Sequence, residues 1–284
     1  MTVQQERFSF RKAARLTTSY GVLILVTILI SLPVVWLLIT SLKIPIEYLS
    51  YPIQFLPKVP QWDNYVQVFT LMPFWRYAWQ TFRLAMSFSI LCVITSSMAG
   101  FAFARIPVPG RNRLFSIIVA LIIIPAIVTV IPQFIVFAKL RLTNTYWPWI
   151  LWGLSASPFH IFLFRQFFAG VPKELEDAAE VDGCSLLRTY WQVFLPNAKP
   201  VLATSFIFNF SWVWGDYFAP IIYLNDAKTT LAVKLSIAYV DPQSNPLVTV
   251  TLAACAVYML PLVIAFFVGQ KHIIQGALTS GLKG

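Results

Sequence analysis

The sequence predicts an all-α integral membrane protein with six transmembrane helices and one polar helix-turn-helix loop between the fourth and fifth. Three observations predict it. Of 284 residues, 58% are hydrophobic and only 11% charged, more apolar surface than a soluble fold of this size can bury. Uncharged runs occur at 16–42, 84–104, 114–138, 142–164 and 242–270, and a sixth, 200–225, is broken only by Asp216. Each is about the 20 residues that a spanning helix needs. Finally, five of the eleven acidic residues (Glu174, Glu176, Asp177, Glu180 and Asp182) fall within nine positions, which marks that stretch as the principal polar island.

Residues 1–15 form a basic lead with Arg7, Arg11, Lys12 and Arg15, suited to anionic headgroups. Residues 16–284 read as one six-span domain. Span one is too long for the apolar core of a cleavable signal, and its Pro33 predicts a kink. The 43–80 stretch is the longest loop outside the polar island, and Pro45, Pro52, Pro57 and Pro60 discourage regular structure there. Asp63 is a candidate cap for a short helix holding Asn64, Tyr65 and Phe69, and Trp62, Phe74, Trp75, Tyr77 and Trp79 suit the headgroup level. Span two closes on Ala-Gly-Phe-Ala-Phe-Ala-Arg at 99–105, small residues that permit close helix packing. Spans three and four carry Pro125, Pro132, Pro148 and Pro158, each a point where a helix can distort.

The island runs from Val171 to Pro196 and reads as two short helices around a tight corner. Pro172 suits a first helical turn, and the acids after it favour the positive end of the helix dipole. Leu175, Ala178, Ala179 and Asp182 share a face at i, i+3, i+4, i+7 spacing. Gly183 supplies the left-handed stop. Ser185 caps a second helix in which Leu187, Tyr190, Trp191 and Phe194 line one side before Pro196 ends it. A face this small, beside carboxylates, fits a groove in another protein.

Lysine and arginine set the orientation. Thirteen of the 21 lie in the N-terminal lead, the loop after span two (Arg105, Arg111, Arg113), the island (Arg165, Lys173, Arg188, Lys199) and the tail (Lys271, Lys283). Seven lie on the opposite side: Lys43, Lys58, Arg76, Lys139, Arg141, Lys228 and Lys234. The excess of basic residues on cytoplasmic loops predicts both termini and the island inside, with residues 60, 144 and 235 outside. The net charge of +10 is therefore mostly topology, and no aromatic-interleaved basic stripe points to nucleic acid. Cys92 and Cys255 fall inside spans and Cys184 on the corner, so all three are expected reduced.

The chain holds no Gly-x-x-x-x-Gly-Lys-[Ser/Thr] phosphate cradle, no nucleophile elbow and no paired-carboxylate site, and His160 and His272 lack metal-ligand spacing. No metal site, catalytic residue or bound cofactor is expected. Asp216, the acid inside an apolar run, stands with Trp212, Trp214 and Tyr217. A carboxylate at membrane depth faces a cavity or a partner. Aromatic faces suit sugar rings, and a carboxylate accepts from hydroxyls. Pairing with Arg83, at the mouth of span two, is the other reading, and both can hold.

Glu-Asp-Ala-Ala-Glu-Val-Asp-Gly, followed twelve residues later by Leu195-Pro196, resembles the EAA loop of ABC-importer permease subunits. The flanks resemble the carbohydrate-uptake branch and its maltose-permease-like second subunit. Asp177 stands where that motif usually carries Glu, and Gly215 where the branch usually carries Asn before its acid. The resemblance implies that Leu175, Asp177, Ala178, Ala179, Asp182, Gly183 and Leu187 dock a separate ATPase. It implies that Trp212, Trp214, Asp216 and Tyr217 line the substrate path. The ending Gln275 to Gly284 resembles the branch's usual tail, whose Thr279, Ser280, Gly281 and Lys283 would enter an ATPase crevice as an extended strand. Ser41-Leu42-Lys43 and Asn64-Tyr65 match its external loop. The implied partners are a second homologous permease, two ATPase subunits carrying ATP and Mg, an external sugar-binding protein and membrane lipid. An ion-coupled secondary transporter would instead show several intramembrane ionisable groups and an internal repeat. A purely structural scaffold would leave the helix pair unexplained.

Overall fold

A computed structural model describes the backbone of residues 10–237 and 239–281, and the side chains of residues 15–237 and 239–271. The chain divides into two compact units, residues 1–72 with 238–257 and residues 73–237 with 258–284.

The first unit holds helices α1 (Phe10–Ser41), α2 (Pro45–Tyr48) and α3 (Asp63–Thr70) and the start of α15 (Val248–Gly281). Its knot is polar. Asn64 donates through Nδ2 to the carbonyls of Ser41, at 2.8 Å, and Lys43, at 3.0 Å. The Ser41 and Tyr65 hydroxyls lie 2.8 Å apart. Lys43 is buried, its ammonium donating to the Gln54 carbonyl at 2.5 Å and standing 4.4 Å from the Trp36 ring centre. A lysine can be buried when its charge meets such partners. The Ser-Leu-Lys and Asn-Tyr pairs singled out in the sequence are thus one structure. Asp63 is not a cap: Trp62 holds that position, and Asp63 accepts from Gln67 within the helix.

The second unit is built around α4 (Phe74–Arg105). That helix begins inside the 43–80 stretch, because no proline follows Pro73 there and aromatics carry the apolar face onward. Its buried residues include a run of small ones, Ala85, Ser89, Cys92, Ser96 and Gly100, beside larger ones such as Leu84 and Phe101. Against it pack α7 (Trp147–Leu154), α8 (Pro158–Ala169) and α12 (Lys199–Trp214), while α5 (Arg111–Leu121) and α6 (Ala126–Lys139) follow α4 in the chain. Among the described residues this unit holds two aromatic clusters, one around Trp149, Phe210, Trp214 and Tyr223, the other around Phe101, Phe164, Phe168, Tyr190 and Phe194.

Among the described residues three helices are long and apolar enough to cross a bilayer unbroken: Arg15–Ser41 within α1, all of α4, and Val248–Lys271 within α15. The other apolar runs are broken. Helices α5 and α6 meet at 96° across residues 122–125, because Pro125 has no amide to donate and restricts the residue before it. Pro158 opens α8 after the break that follows α7. The 200–225 run breaks after Gly215 into α12 and α13 (Phe218–Tyr223). The three cysteines are free thiols.

Candidate functional site

The polar island folds as a helical corner. Helix α9 (Glu174–Val181) carries Glu174, Glu176 and Asp177 in its first turn, where the helix dipole favours them. Lys173 is its cap, and Pro172 precedes the helix. The end of α9 is closed by paired bonds: Gly183 N–H donates to the Glu180 carbonyl at 3.0 Å and Cys184 N–H to the Ala179 carbonyl at 2.9 Å. This pairing needs a left-handed residue, and Gly183 sits at φ +75°. Ser185 then caps α10 (Leu186–Thr189), its hydroxyl accepting from the Arg188 amide. A π-helical turn (Tyr190–Phe194) leads into α11 (Leu195–Asn197), which takes Pro196 in its first turn, so Pro196 does not end the segment.

The corner has an inner and an outer side. Tyr190 and Phe194 are buried, whereas Leu187, 59% exposed, and Trp191 face outward; the four do not line one side. Leu175, Val181 and Leu186 are also exposed, as are Asp177, Ala178, Asp182 and Gly183. Ala179 corrects the expectation: it is 5% exposed and turned into this chain, not outward. The outer surface is apolar with an acidic rim.

What fixes the corner from behind was not foreseen. The Arg105 guanidinium forms an ion pair with Glu176 at 3.2 Å and donates to the carbonyls of Phe168, at 2.7 Å, and Val171. The Tyr190 and Ser97 hydroxyls lie 2.7 Å apart. Burial pushes the Tyr190 phenol above its ordinary pKa, a shift the Ser97 bond opposes. Arg165 donates to the Phe103 carbonyl at 3.2 Å and Arg111 to Ile106 at 3.0 Å, so cations satisfy the open carbonyls at the end of α4. In the sequence these arginines signalled topology, and nothing in their spacing disclosed the partners.

At the second candidate site, Asp216 Oδ1 accepts from the amides of Phe218, at 2.9 Å, and Ala219, at 3.1 Å. Arg83 does not pair with it; that guanidinium stands 5.7 Å from the Tyr146 ring centre. Trp212 is 72% exposed and Tyr217 exposed. Trp214 is buried and stacks with Phe210 and with Tyr258, its indole N–H donating to the Tyr258 carbonyl at 3.1 Å. Its ring is part of the aromatic core of this unit.

The tail departs from the extended strand expected of it. Helix α15 continues through Thr279 and Ser280 to Gly281, since a lone glycine costs a helix only about 1 kcal/mol and the intervening residues propagate it. Lys283 lies outside the described residues.

The sequence profile of the family described as "Binding-protein-dependent transport system inner membrane component" matches residues 92–278, a span that takes in the corner and the end of α4 from Cys92 onward. This chain belongs to that family. It is a permease subunit of an ABC importer, a transport component and not an enzyme, and the ion-coupled alternative falls away. The chain is 32% identical to the "Arabinooligosaccharides transport system permease protein AraQ" of Halalkalibacterium halodurans, over 81% of this chain and 82% of the relative. It is 29% identical to the "Sulfoquinovosyl glycerol transport system permease protein SmoH" of Agrobacterium fabrum, over 89% and 88%. Among solved structures, a bacterial ABC transporter "involved in the import of the acidic polysaccharide alginate" contains a chain that superposes with a TM-score of 0.80 at 22% identity, covering 94% of this chain and 99% of that one. At that identity the likeness is one of fold. Family members of this kind work with a binding protein and an ATPase in a multi-pass membrane assembly.

Proposed function

We propose that this chain is one permease half of an ATP-driven importer of a sugar or oligosaccharide, paired with a second permease, two ATPase subunits and an external binding protein. The observation that carries the reading is the corner, whose exposed apolar side chains and acidic rim back onto the buried Tyr190 and Phe194. An exposed apolar patch rimmed with charge marks a protein contact. Leu175, Asp177, Ala178, Asp182, Gly183 and Leu187 would meet the ATPase, which carries ATP and Mg. Nucleotide-driven closure then moves the corner, and the spans alternate between inward-facing and outward-facing states. The names of AraQ and SmoH support a carbohydrate-derived cargo. Trp212, Asp216 and Tyr217, at a helix break, are the residues we assign to its path.

Six crossings follow if each broken pair (α5 with α6, α7 with α8, α12 with α13) counts once beside the three unbroken helices. Helix α12 alone, at 16 residues, rises about 24 Å and falls short of a bilayer core of about 30 Å; α13 completes it. The lysine and arginine asymmetry supports a cytoplasmic location for both termini and the corner. Single-cysteine labelling tests this in a chain whose Cys92 and Cys255 are replaced. Cys184 is expected to react with an impermeant maleimide in inverted vesicles and not in intact cells. Pro60→Cys and Gln243→Cys, in a chain also lacking Cys184, are expected to do the reverse. Labelling of Cys184 from outside would overturn the orientation and the docking site together.

A further inference from the structure

Three residues on one face of α4, spaced by four, receive the corner. Ser97 meets Tyr190; Phe101 packs its ring against Phe194 at 4.9 Å, Tyr190 at 5.3 Å and Phe168 at 6.0 Å; Arg105 binds Glu176, the Phe168 and Val171 carbonyls, and the face of Phe194 at 4.9 Å. The Arg105 side chain is 11% exposed and Glu176 25%. Apolar contacts resist separation but not sliding, since they are non-directional. A guanidinium is planar, and its fork fixes angle as well as distance. Arg105 is the residue of the stripe that fixes the corner to α4 in direction: it ties the first turn of α9, the end of α8 and the π-helical turn to the last turn of the central helix.

We propose that Arg105 is the positioning residue through which a displacement of the corner becomes a displacement of α4, with Glu176 as its partner on the corner. This rests on the reading of the corner as the ATPase contact. A lysine in its place would keep the charge but bind one acceptor well where the fork serves three.

The test needs no knowledge of the cargo. The reporter is Trp79→Cys, an exposed position in the first part of α4, in a chain cleared of Cys92, Cys184 and Cys255. The assembled complex is labelled with a maleimide, without nucleotide and after trapping with ATP and vanadate. In the otherwise native chain trapping is expected to change the labelling rate by about ten-fold, the weight of one charge-assisted contact. Glu176→Ala and Arg105→Lys are expected to bring that change below about two-fold, while ATPase co-purification and ATP hydrolysis stay within about two-fold of native. Glu176→Gln, nearly isosteric and still an acceptor, should fall between, and it decides the matter if the other variants fail to insert. A merely structural pair would not remove the nucleotide response while leaving hydrolysis intact. The inference is overturned by a full response in the variants, by no response in the native chain, or by loss of the ATPase from Glu176→Ala, which would make the pair only a support for the docking surface. If the native chain carries no ATPase at all, it is the proposed function that fails.

Discussion

Gly100→Leu is expected to remove the protein from the membrane fraction. Gly100 is where α4 and α8 touch. A Cβ there would lie 2.5 Å from Phe164 Cβ, 3.0 Å from the Arg165 backbone nitrogen and 3.2 Å from the Ile161 carbonyl oxygen. None of these is the end of a flexible side chain, so the helices must part. Parting them opens the cluster of Phe101, Phe164 and Phe168 and draws the Phe168 carbonyl away from Arg105. Overpacking of this kind costs about 1–3 kcal/mol in a core that can adjust; here backbone stands against backbone, and the upper end or more applies. Immunoblotting of membranes and the midpoint of thermal aggregation in detergent measure it. Gly100→Ala should already lower the midpoint. Native abundance in Gly100→Leu would mean that α4 and α8 are not in contact there.

Gly183→Val is expected to do the opposite: leave the protein in place and remove its function. Nothing lies within 4 Å of a Cβ built at Gly183, so there is no clash, only backbone strain. A branched residue at φ +75° costs about 1–2 kcal/mol, too little to unfold a helical bundle with two aromatic clusters. The strain is relieved by giving up the paired bonds from Gly183 and Cys184 to the end of α9. The helix then re-aims, and Asp177, Ala178 and Leu175 with it. Membrane abundance should stay near native while ATPase co-purification falls by about ten-fold or more, the equivalent of one or two lost charge-assisted contacts. Normal co-purification in this variant would separate the corner's conformation from docking.

Much of this was legible in the sequence, and for definite reasons. Apolar run length depends on the solvent and not on neighbours, so the reading as a multi-pass membrane protein could be made without coordinates. The corner was legible because its signals are local: acids in a first turn, a glycine stop, a serine cap. What depended on three dimensions was not. Leu175 and Ala179 lie one turn apart on the same face of an eight-residue helix, yet they meet different surroundings along its length, one exposed and one buried. Trp214 looked exposed beside Asp216 in the sequence, but it is buried and stacks with Phe210 and Tyr258. Asp216 could have paired with a cation, but the amides of Phe218 and Ala219 are nearer in sequence and donate to it. The Arg105 contacts join residues 63 to 71 positions apart, a relation that a one-dimensional pattern does not contain.

The corner carries its own chemical probe. Cys184 is a free, partly exposed thiol next to Gly183, and with Cys92 and Cys255 replaced it is the chain's one cysteine. The assembled complex can be treated with a short thiol-to-amine cross-linker attached at Cys184 and the adduct identified by mass spectrometry. A covalent product joining Cys184 to the ATPase subunit, lost in Gly183→Val, is the predicted result. An ATPase that remains in the complex yet never joins Cys184, under conditions where it joins another part of the chain, would contradict docking at this corner.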